Sequence, residues 1–555
     1  MKVDSEMELP FIMRMQYYLK LSIIFGFFLV TIQLFAGLEL TYELSSSTDI
    51  FIDGRSPHKN AGIKVAKIGD VNADGYDDFA ITTNYNTLTS TPTLIPTRNR
   101  AVAIFFGKPD RSLWSSNLTI RNANLILTTN ESNDLFGEFI SGGQDVNHDG
   151  IDDFAIGAPG LGTDSNPGKV YLIFGRRVFP SRTSLSRLTN KIIFVGERPG
   201  DKAGPVALGD LDRNGYAEVI IGAPKHSASD DAEGKIYIFR GKSLRFSADS
   251  TINLRSANTY CNAPAPLITD SIDFVEIYRH EGFGSSIAYV GDVDRDGYKE
   301  FVVGSPNTVL ERNYAYPGTI DLHLYEGAIF VFSGMDLPRI SGASYPYRLI
   351  IKGPITVEHH FVTYGGPHIG VEVAAAGDVN GDGYRDFWTS GGNFTDTRLF
   401  FGSADIFSRP TRAVGELGIS LWTFNPNSKY HLSTEGDVNG DGYSDLIIGN
   451  PLYQRYYATS SIPQGAAYLY FGLTLGTVDR PDFDILFESK TDNSYTGYSV
   501  DFIGDIDHDG FDDIAISAPG YTDGGCDSCH SHSYDRGYIG KEEGLVQIIF
   551  GEKSW

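Results

Sequence analysis

Seven short acidic segments carry most of the groups in this 555-residue sequence that could do chemistry. Each is a nonapeptide that opens on Asp, has Asn or Asp at its third and fifth positions and Gly at its sixth, and closes on Asp or Glu. Calcium is a hard cation that takes roughly six to eight oxygens from carboxylates, amides and main-chain carbonyls. Side chains at positions 1, 3, 5 and 9 of such a loop converge on one point, position 7 adds its backbone carbonyl, and the position-6 glycine permits the sharp reversal. The predicted ligand sets are Asp70, Asn72, Asp74, Tyr76 and Asp78 in the first copy, and Asp145, Asn147, Asp149, Ile151 and Asp153 in the second. Asp210, Asp212, Asn214, Tyr216 and Glu218 form the third, and Asp292, Asp294, Asp296, Tyr298 and Glu300 the fourth. The fifth and sixth are Asp378, Asn380, Asp382, Tyr384 and Asp386, then Asp437, Asn439, Asp441, Tyr443 and Asp445. Asp505, Asp507, Asp509, Phe511 and Asp513 complete the series. Calcium, up to seven ions, is therefore the expected cofactor. An EF-hand needs a longer loop flanked by helices, whereas both flanks here read as strands. Any one copy is also explained by ordinary turn chemistry; seven copies are not.

The elements that must hold these loops recur with them. Successive copies start 59 to 86 residues apart. A Gly lies eight residues upstream in five copies, at Gly62, Gly137, Gly284, Gly370 and Gly497, and an apolar strand follows the loop, as at 154–159 and 219–224. A second strand ending near an aromatic-Gly pair comes next (170–175, 328–334, 467–472, 546–551), then another apolar segment such as 125–128 or 191–196. Four short strands per repeat cannot bury both faces of their own sheet, but sheets set radially around a channel can pack face to face. The predicted fold is all-β, a seven-bladed β-propeller of four-stranded antiparallel blades over residues 38–555. The ring is expected to close by pairing residues 38–44 or 49–54 with the last blade, since an open ring leaves two bare edges.

Composition agrees. The chain has 62 Gly, 25 Pro and 41% hydrophobic residues, enough for many turns and a large core. Its formal charge of −25 argues against nucleic acid or an anionic lipid surface as partner and makes cations the natural counterpart. Residues 21–37 are uncharged and apolar, with Arg14 and Lys20 before them and small residues Ala36 and Gly37 at their end. Residues 1–37 therefore read as a signal peptide or signal anchor, placing the protein outside the cell or secreted from it. Sequons at Asn117, Asn130 and Asn393 fit export and glycosylation.

With Phe136-Gly137 before Gly157-Ala158-Pro159, Phe283-Gly284 before Gly304-Ser305-Pro306, and near-copies at Gly222-Ala223-Pro224, Gly449-Asn450-Pro451 and Ser517-Ala518-Pro519, the sequence resembles the FG-GAP repeat family, and in particular the propeller head of integrin α subunits. The resemblance covers about 500 residues and implies calcium hairpins on one face and recognition of an extracellular protein or matrix ligand on the other, with an integrin β-like partner. Integrin α chains carry the calcium signature in only some blades, whereas all seven copies have it here. The first copy lacks Gly-Ala-Pro, Lys429 replaces the upstream Gly of the sixth, and no leg domains or C-terminal membrane helix can be read.

Antiparallel strands place the segments after Gly-Ala-Pro on the face opposite the acidic loops, and four of them are long: 82–100, 307–326, 452–465 and 520–543. Arg312, Tyr314 and Tyr316, with Tyr453, Arg455, Tyr456 and Tyr457, are the candidate ligand-binding residues, against the plainer reading that these tyrosines pack on neighbouring blades. Cys526 and Cys529 are read as a local disulfide; their spacing, followed by His530 and His532, also matches haem attachment or half a zinc site. Cys261 has no assigned partner. A nucleophile elbow and a zinc-binding His-Glu-x-x-His are both missing, so the expectation is a recognition module and not an enzyme. The alternative is an extracellular propeller hydrolase or lyase with its active site opposite the calcium loops, where His359, His360 and His368 could seed a metal site.

Overall fold

The structure is a computed structural model. It describes residues 13–18, 35–43, 50–54, 58–85, 99–129, 131, 133–161, 166–226, 233–244, 249–262, 267–270, 274–314, 322–325, 327–339, 346–353, 368–391, 397–413, 418–421, 431–454, 463–472, 483–489, 492–521, 544–553 and 555.

The innermost strand of each repeat ends at its acidic loop, so the loop is the hairpin between first and second strands. These inner strands are His58–Gly69, Phe139–Gln144, Val206–Gly209, Ser286–Gly291, Glu372–Gly377, His431–Leu432 and Val500–Gly504. Each touches the next, and the seventh touches the first, which closes a ring of seven blades. Within a blade the strands follow in antiparallel order, as in Phe139–Gln144, Asp153–Ala158, Lys169–Ile173 and Lys191–Val195. The second strands are buried on both faces; Asp153–Ala158 and Glu218–Ala223 have no exposed residue. That follows from their continuous apolar runs, which suit a sheet covered on both sides.

Buried apolar side chains fall into seven clusters, one at each junction between neighbouring blades. One cluster, for example, joins Ile68, Ala80, Val102 and Leu125 of the first blade to Phe154, Ile156 and Ile173 of the second. Among the described residues each apolar cluster spans two blades, so the hydrophobic effect acts between sheets and drives the radial arrangement.

The Phe-Gly and Gly-Ala-Pro signatures are also junction chemistry. Gly137 N–H donates to the Gly157 carbonyl at 3.0 Å, and a Cβ on Gly157 would lie 2.1 Å from the Gly204 carbonyl oxygen of the next blade. Gly222 meets Gly284, Gly304 meets Gly370 and Gly449 meets Gly497 in the same way. Main chain packs on main chain here, and only glycine leaves the room.

Ring closure uses the second of the two predicted segments. Ile50–Asp53 pairs antiparallel with Leu545–Ile549 as the fourth strand of the seventh blade. Phe35–Glu43 instead lies parallel to Ile485–Glu488 on the sixth blade, with Met13–Tyr18 beyond it. All seven blades have the four antiparallel strands expected, and Arg182–Ser184, Ser250–Asn253, Thr411–Ala413 and Asn117–Thr119 each add a parallel strand to the outer edge of the preceding blade. The edge strands are thereby covered rather than left as templates for association. The expected loop at 307–326 is partly strand as well. Asn307–Tyr314 and Leu322–Tyr325 form a hairpin that continues through Phe274–Glu281 to Leu267–Asp270, an eighth sheet on the face opposite the acidic loops. Among the described residues no helix is long and apolar enough to cross a membrane.

Candidate functional site

The seven acidic loops share one set of backbone contacts. The position-1 carboxylate accepts from the position-6 glycine N–H in all seven, from 2.7 Å in Gly150 to Asp145 up to 3.1 Å in Gly297 to Asp292. The position-5 side chain accepts from the position-7 N–H in each, as in Tyr384 to Asp382 at 2.9 Å. The glycines Gly75, Gly150, Gly215, Gly297, Gly383, Gly442 and Gly510 all have φ between 80° and 94°.

Position 9 is the anchor. Asp78, Asp153, Glu218, Glu300, Asp386, Asp445 and Asp513 are fully buried. One carboxylate oxygen accepts from the position-2 N–H, as from Val379 to Asp386 at 3.0 Å. In five blades the other accepts from the glycine that ends the third strand: Gly107, Gly175, Gly402, Gly472 and Gly551. Burial raises these acids far above the usual carboxylate range, to about 8 for Asp78, Asp153, Glu218, Glu300, Asp386 and Asp445. The backbone hydrogen bonds oppose that rise, while the neighbouring loop carboxylates add to it.

In three loops the carboxylates come close enough for one ion. Ligand atoms of Asp210, Asp212 and Glu218, of Asp292, Asp294 and Glu300, and of Asp505, Asp507 and Asp513 lie within 4.8 Å of one another. The donor set fits a hard cation: Oδ1 of Asp212, Asp292, Asp378 and Asp507, and Oδ1 of Asn147, are buried without a hydrogen-bond donor. An unmatched buried carboxylate oxygen is costly, and a cation relieves it. In the loops with Asn at position 3, its amide nitrogen donates to the position-5 carboxylate, as from Asn380 to Asp382 at 3.0 Å. A half-turn of that amide offers its oxygen instead.

Two features of the loops were not foreseen. Position 4 is left-handed in every copy: Ala73, His148, Arg213, Arg295, Gly381, Gly440 and His508 have φ between 57° and 71°. The side chains there reach the position-7 ring of the next blade, His148 on Tyr216 at 4.9 Å, Arg295 over Tyr384 at 5.3 Å and His508 on Tyr76 at 5.3 Å. Position 8 binds backward instead. Its N–H donates to the position-1 carbonyl of the preceding blade, as in Asp152 to Asp70, Ala217 to Asp145, Arg385 to Asp292, Ser444 to Asp378 and Asp512 to Asp437. Sequence alone gave no signal for position 4, because its residue types vary freely.

Toward the opposite face, the first residues of the fifth and sixth inner strands, Glu372 and His431, meet Lys64 of the first at the mouth of the central channel. Glu372 lies 3.7 Å from Lys64 across the channel and 3.6 Å from Nδ1 of His431, and it accepts from Leu432 N–H. Tyr498 stacks on His431 at 5.4 Å. Burial, reinforced by Glu138, raises the Tyr498 hydroxyl above its ordinary range, and Glu138 is itself paired with Arg100. None of these residues was singled out from sequence, since they come from separate repeats and share no motif.

Of the predicted ligand-binding residues, Tyr453 packs against the apolar cluster between the fifth and sixth blades, edge-on to Tyr468 at 6.3 Å. Its ring therefore serves the blade junction. Arg312 and Tyr314 lie on the strand Asn307–Tyr314. Tyr316, Arg455, Tyr456, Tyr457, Cys526, Cys529, His359, His360, Asn130 and Asn393 lie outside the described residues. Asn117 is exposed on an edge strand, His368 contacts the Pro306 carbonyl at 2.9 Å, and Cys261 is buried with its Sγ donating to the Asn262 carbonyl at 3.0 Å.

The FG-GAP repeat pattern matches residues 136–173, 206–239, 431–470 and 496–531. This chain carries FG-GAP repeats. As an FG-GAP propeller it is similar to phosphatidylinositol-glycan-specific phospholipase D of Mus musculus, 24% identical over 433 residues, which cover 73% of this chain and 45% of that protein. Integrin alpha-8 of Gallus gallus is 30% identical over 169 residues, 29% of this chain and 14% of that protein. Integrin alpha-5 of Xenopus laevis is 25% identical over 301 residues, 53% of this chain and 23% of that protein. The FG-GAP chain thus spans about half the length of the phospholipase and less of the integrins. The expectation that it is not an enzyme is overturned, because the relative that matches it over 73% of its length is one. The missing elbow and zinc motifs excluded particular mechanisms, not catalysis.

Proposed function

We propose that this chain is a calcium-stabilised extracellular propeller acting on phosphatidylinositol-glycan substrates as a hydrolase, and that it handles substrate at the channel mouth opposite the calcium loops. The observation that carries this reading is the reach of the similarity: 73% of the chain aligns with a phosphatidylinositol-glycan-specific phospholipase D. In this reading calcium at the seven loops holds the ring, and the uncharged apolar run at 21–37, read as part of an export signal, supports a site of action outside the cell.

At the mouth, Glu372 beside Nδ1 orients the His431 imidazole, an arrangement suited to moving a proton during phosphodiester cleavage. Lys64 supplies a cation for the phosphate. The test is release of a glycan-anchored reporter protein from membranes into the aqueous phase, in calcium, with His431→Asn and Glu372→Gln as variants. Loss of an acid–base group lowers the rate by about 100-fold or more. No release by the parent chain, or full release by both variants, would sink the reading.

A second reading rests on the higher local identity, 30%, to integrin alpha-8. In it the same face binds an extracellular protein or matrix ligand, with a β-type partner. Cell attachment to immobilised protein that is unchanged in His431→Asn, combined with no reporter release, favours this second reading.

A further inference from the structure

The calcium-loop face of this acidic chain holds a cleft of about 540 Å³ between the fourth, fifth and sixth blades. Arg295, Lys299 and Arg385 line it, together with Ser444 and the position-1 carboxylates Asp292 and Asp378. Lys299 and Arg385 both occupy position 8 of their loops, where the first, second and seventh repeats have Asp77, Asp152 and Asp512. In those repeats the position-8 side chain has a structural use: Asp152 and Asp512 accept from the backbone N–H of Asp70 and Asp437 in the preceding blade. Ser444 does the same for Asp378. A Lys or Arg cannot accept, so in the fourth and fifth blades the substitution forgoes that bond and turns a cation toward the cleft.

Each cation is held by partners that leave part of it in solvent. Lys299 Nζ is 3.7 Å from Asp292, Arg385 is paired with Glu435 at 3.0 Å, and both side chains are more than a third exposed or close to it, at 34% and 43%. Arg295 lies over the Tyr384 ring and donates to the Asp382 carbonyl at 3.4 Å. A calcium ion in the fourth and fifth loops would engage Asp292, the carboxylate beside Lys299, and Asp378, so that the cleft becomes more positive while Arg385 keeps Glu435. Two guanidinium forks and an ammonium around a concave site match the oxygens of a phosphate better than a single carboxylate. The chain's overall negative charge does not forbid this, because exposed charges beyond about 8–10 Å are screened at physiological salt.

We propose that this cleft is a calcium-dependent binding site for a phosphate-bearing group. It is separate from the channel mouth and does not depend on the hydrolase reading. The volume exceeds what one phosphate fills and accommodates a polyol phosphate. The same chemistry is offered by a soluble phosphate ester and by a phosphoinositide headgroup in a bilayer.

The experiment is equilibrium binding to the full chain at 0.5 mM calcium, using inorganic phosphate, a soluble inositol phosphate, and vesicles of phosphatidylcholine with or without a phosphoinositide. Lys299→Glu and Arg385→Gln are the variants, and thermal unfolding confirms that each retains the fold. The expected result is saturable binding of the inositol phosphate that weakens about tenfold or more in each variant and is lost in chelator. Binding of the phosphoinositide vesicles, with the same loss in the variants, supports the site and assigns it to a lipid source; binding of the soluble ester alone assigns it to a soluble one. No saturable binding of any probe, or binding that both variants retain, overturns the proposal. Reporter release measured on the same variants keeps the two readings apart, since release without phosphate binding counts against the cleft alone and binding without release against the hydrolase alone.

Discussion

At the scale of single residues, position 9 carries the most consequence, because its buried carboxylate ties the loop to the strands around it. Its carboxylate is dictated by two main-chain donors on opposite sides, so an amide there must turn an NH2 toward one of them. Asp386→Asn is expected to lose about 1–3 kcal/mol, one unsatisfied buried group, as read by chemical denaturation in calcium. The protonation state matters too. In chelator, the folded chain holds Asp386 and five other position-9 acids at about 8, against 3.8 to 4.5 when unfolded. Between those values the folded state binds more protons than the unfolded one, so its stability falls as pH rises. The chelated protein should therefore melt at a higher temperature at pH 5.5 than at pH 8, and calcium, which displaces those protons, should erase or reverse the trend. A chelated protein that melts higher at pH 8 would mean these acids are not the groups that dominate its titration.

At the scale of elements, the loops and the junctions use glycine for different reasons, and the two can be separated. Gly442 has φ of 87° and nothing within 4 Å of an added Cβ, so Gly442→Ala meets only the left-handed backbone penalty of about 1–2 kcal/mol. Gly442→Asn should cost less, because Asn tolerates that conformation. Gly157 has an ordinary φ, but its Cβ would strike the Gly204 carbonyl oxygen, which belongs to the next blade's main chain and cannot swing aside. Gly157→Ala should therefore destabilise more than Gly442→Ala, and Asn at 157 should be worse still, in parallel thermal melts of the four variants. These differences also mark what the sequence could show. The acidic loops and the strand after each were legible because their residue types are fixed by ligand chemistry and burial. The parallel fifth strands were not, because Arg182–Ser184 and Thr411–Ala413 are only three residues long and carry no alternating apolar pattern. The His431 and Glu372 pair was invisible for another reason: packing of the fifth blade's inner strand against the sixth's, not spacing along the chain, brings them together.

At the scale of the whole molecule, the ring has two kinds of closure that should fail in distinguishable ways. One is strand pairing: Ile50–Asp53 must find Leu545–Ile549, far away in the sequence, before the junction between the seventh and first blades can bury Ile50 and Ile52. The other is electrostatic, since seven acidic loops on one face repel until cations neutralise them. A calcium site at tenfold saturation stabilises the fold by about 1.4 kcal/mol, so seven contribute roughly 10 kcal/mol, comparable with the whole stability of a domain. Chelation should therefore lower the melting temperature sharply, with recovery on adding calcium and little on adding magnesium, whose small octahedral shell suits these loops poorly. Ile52→Asp should behave otherwise. A charge at this fully buried position opens the last junction while leaving all seven loops intact, and excess calcium should restore little of the loss. If calcium rescued Ile52→Asp to the parent melting temperature, the loops rather than the closing strand would be what holds the ring. If chelation left the parent unchanged, the loops would be turns, and the ring would stand on its seven apolar junctions alone.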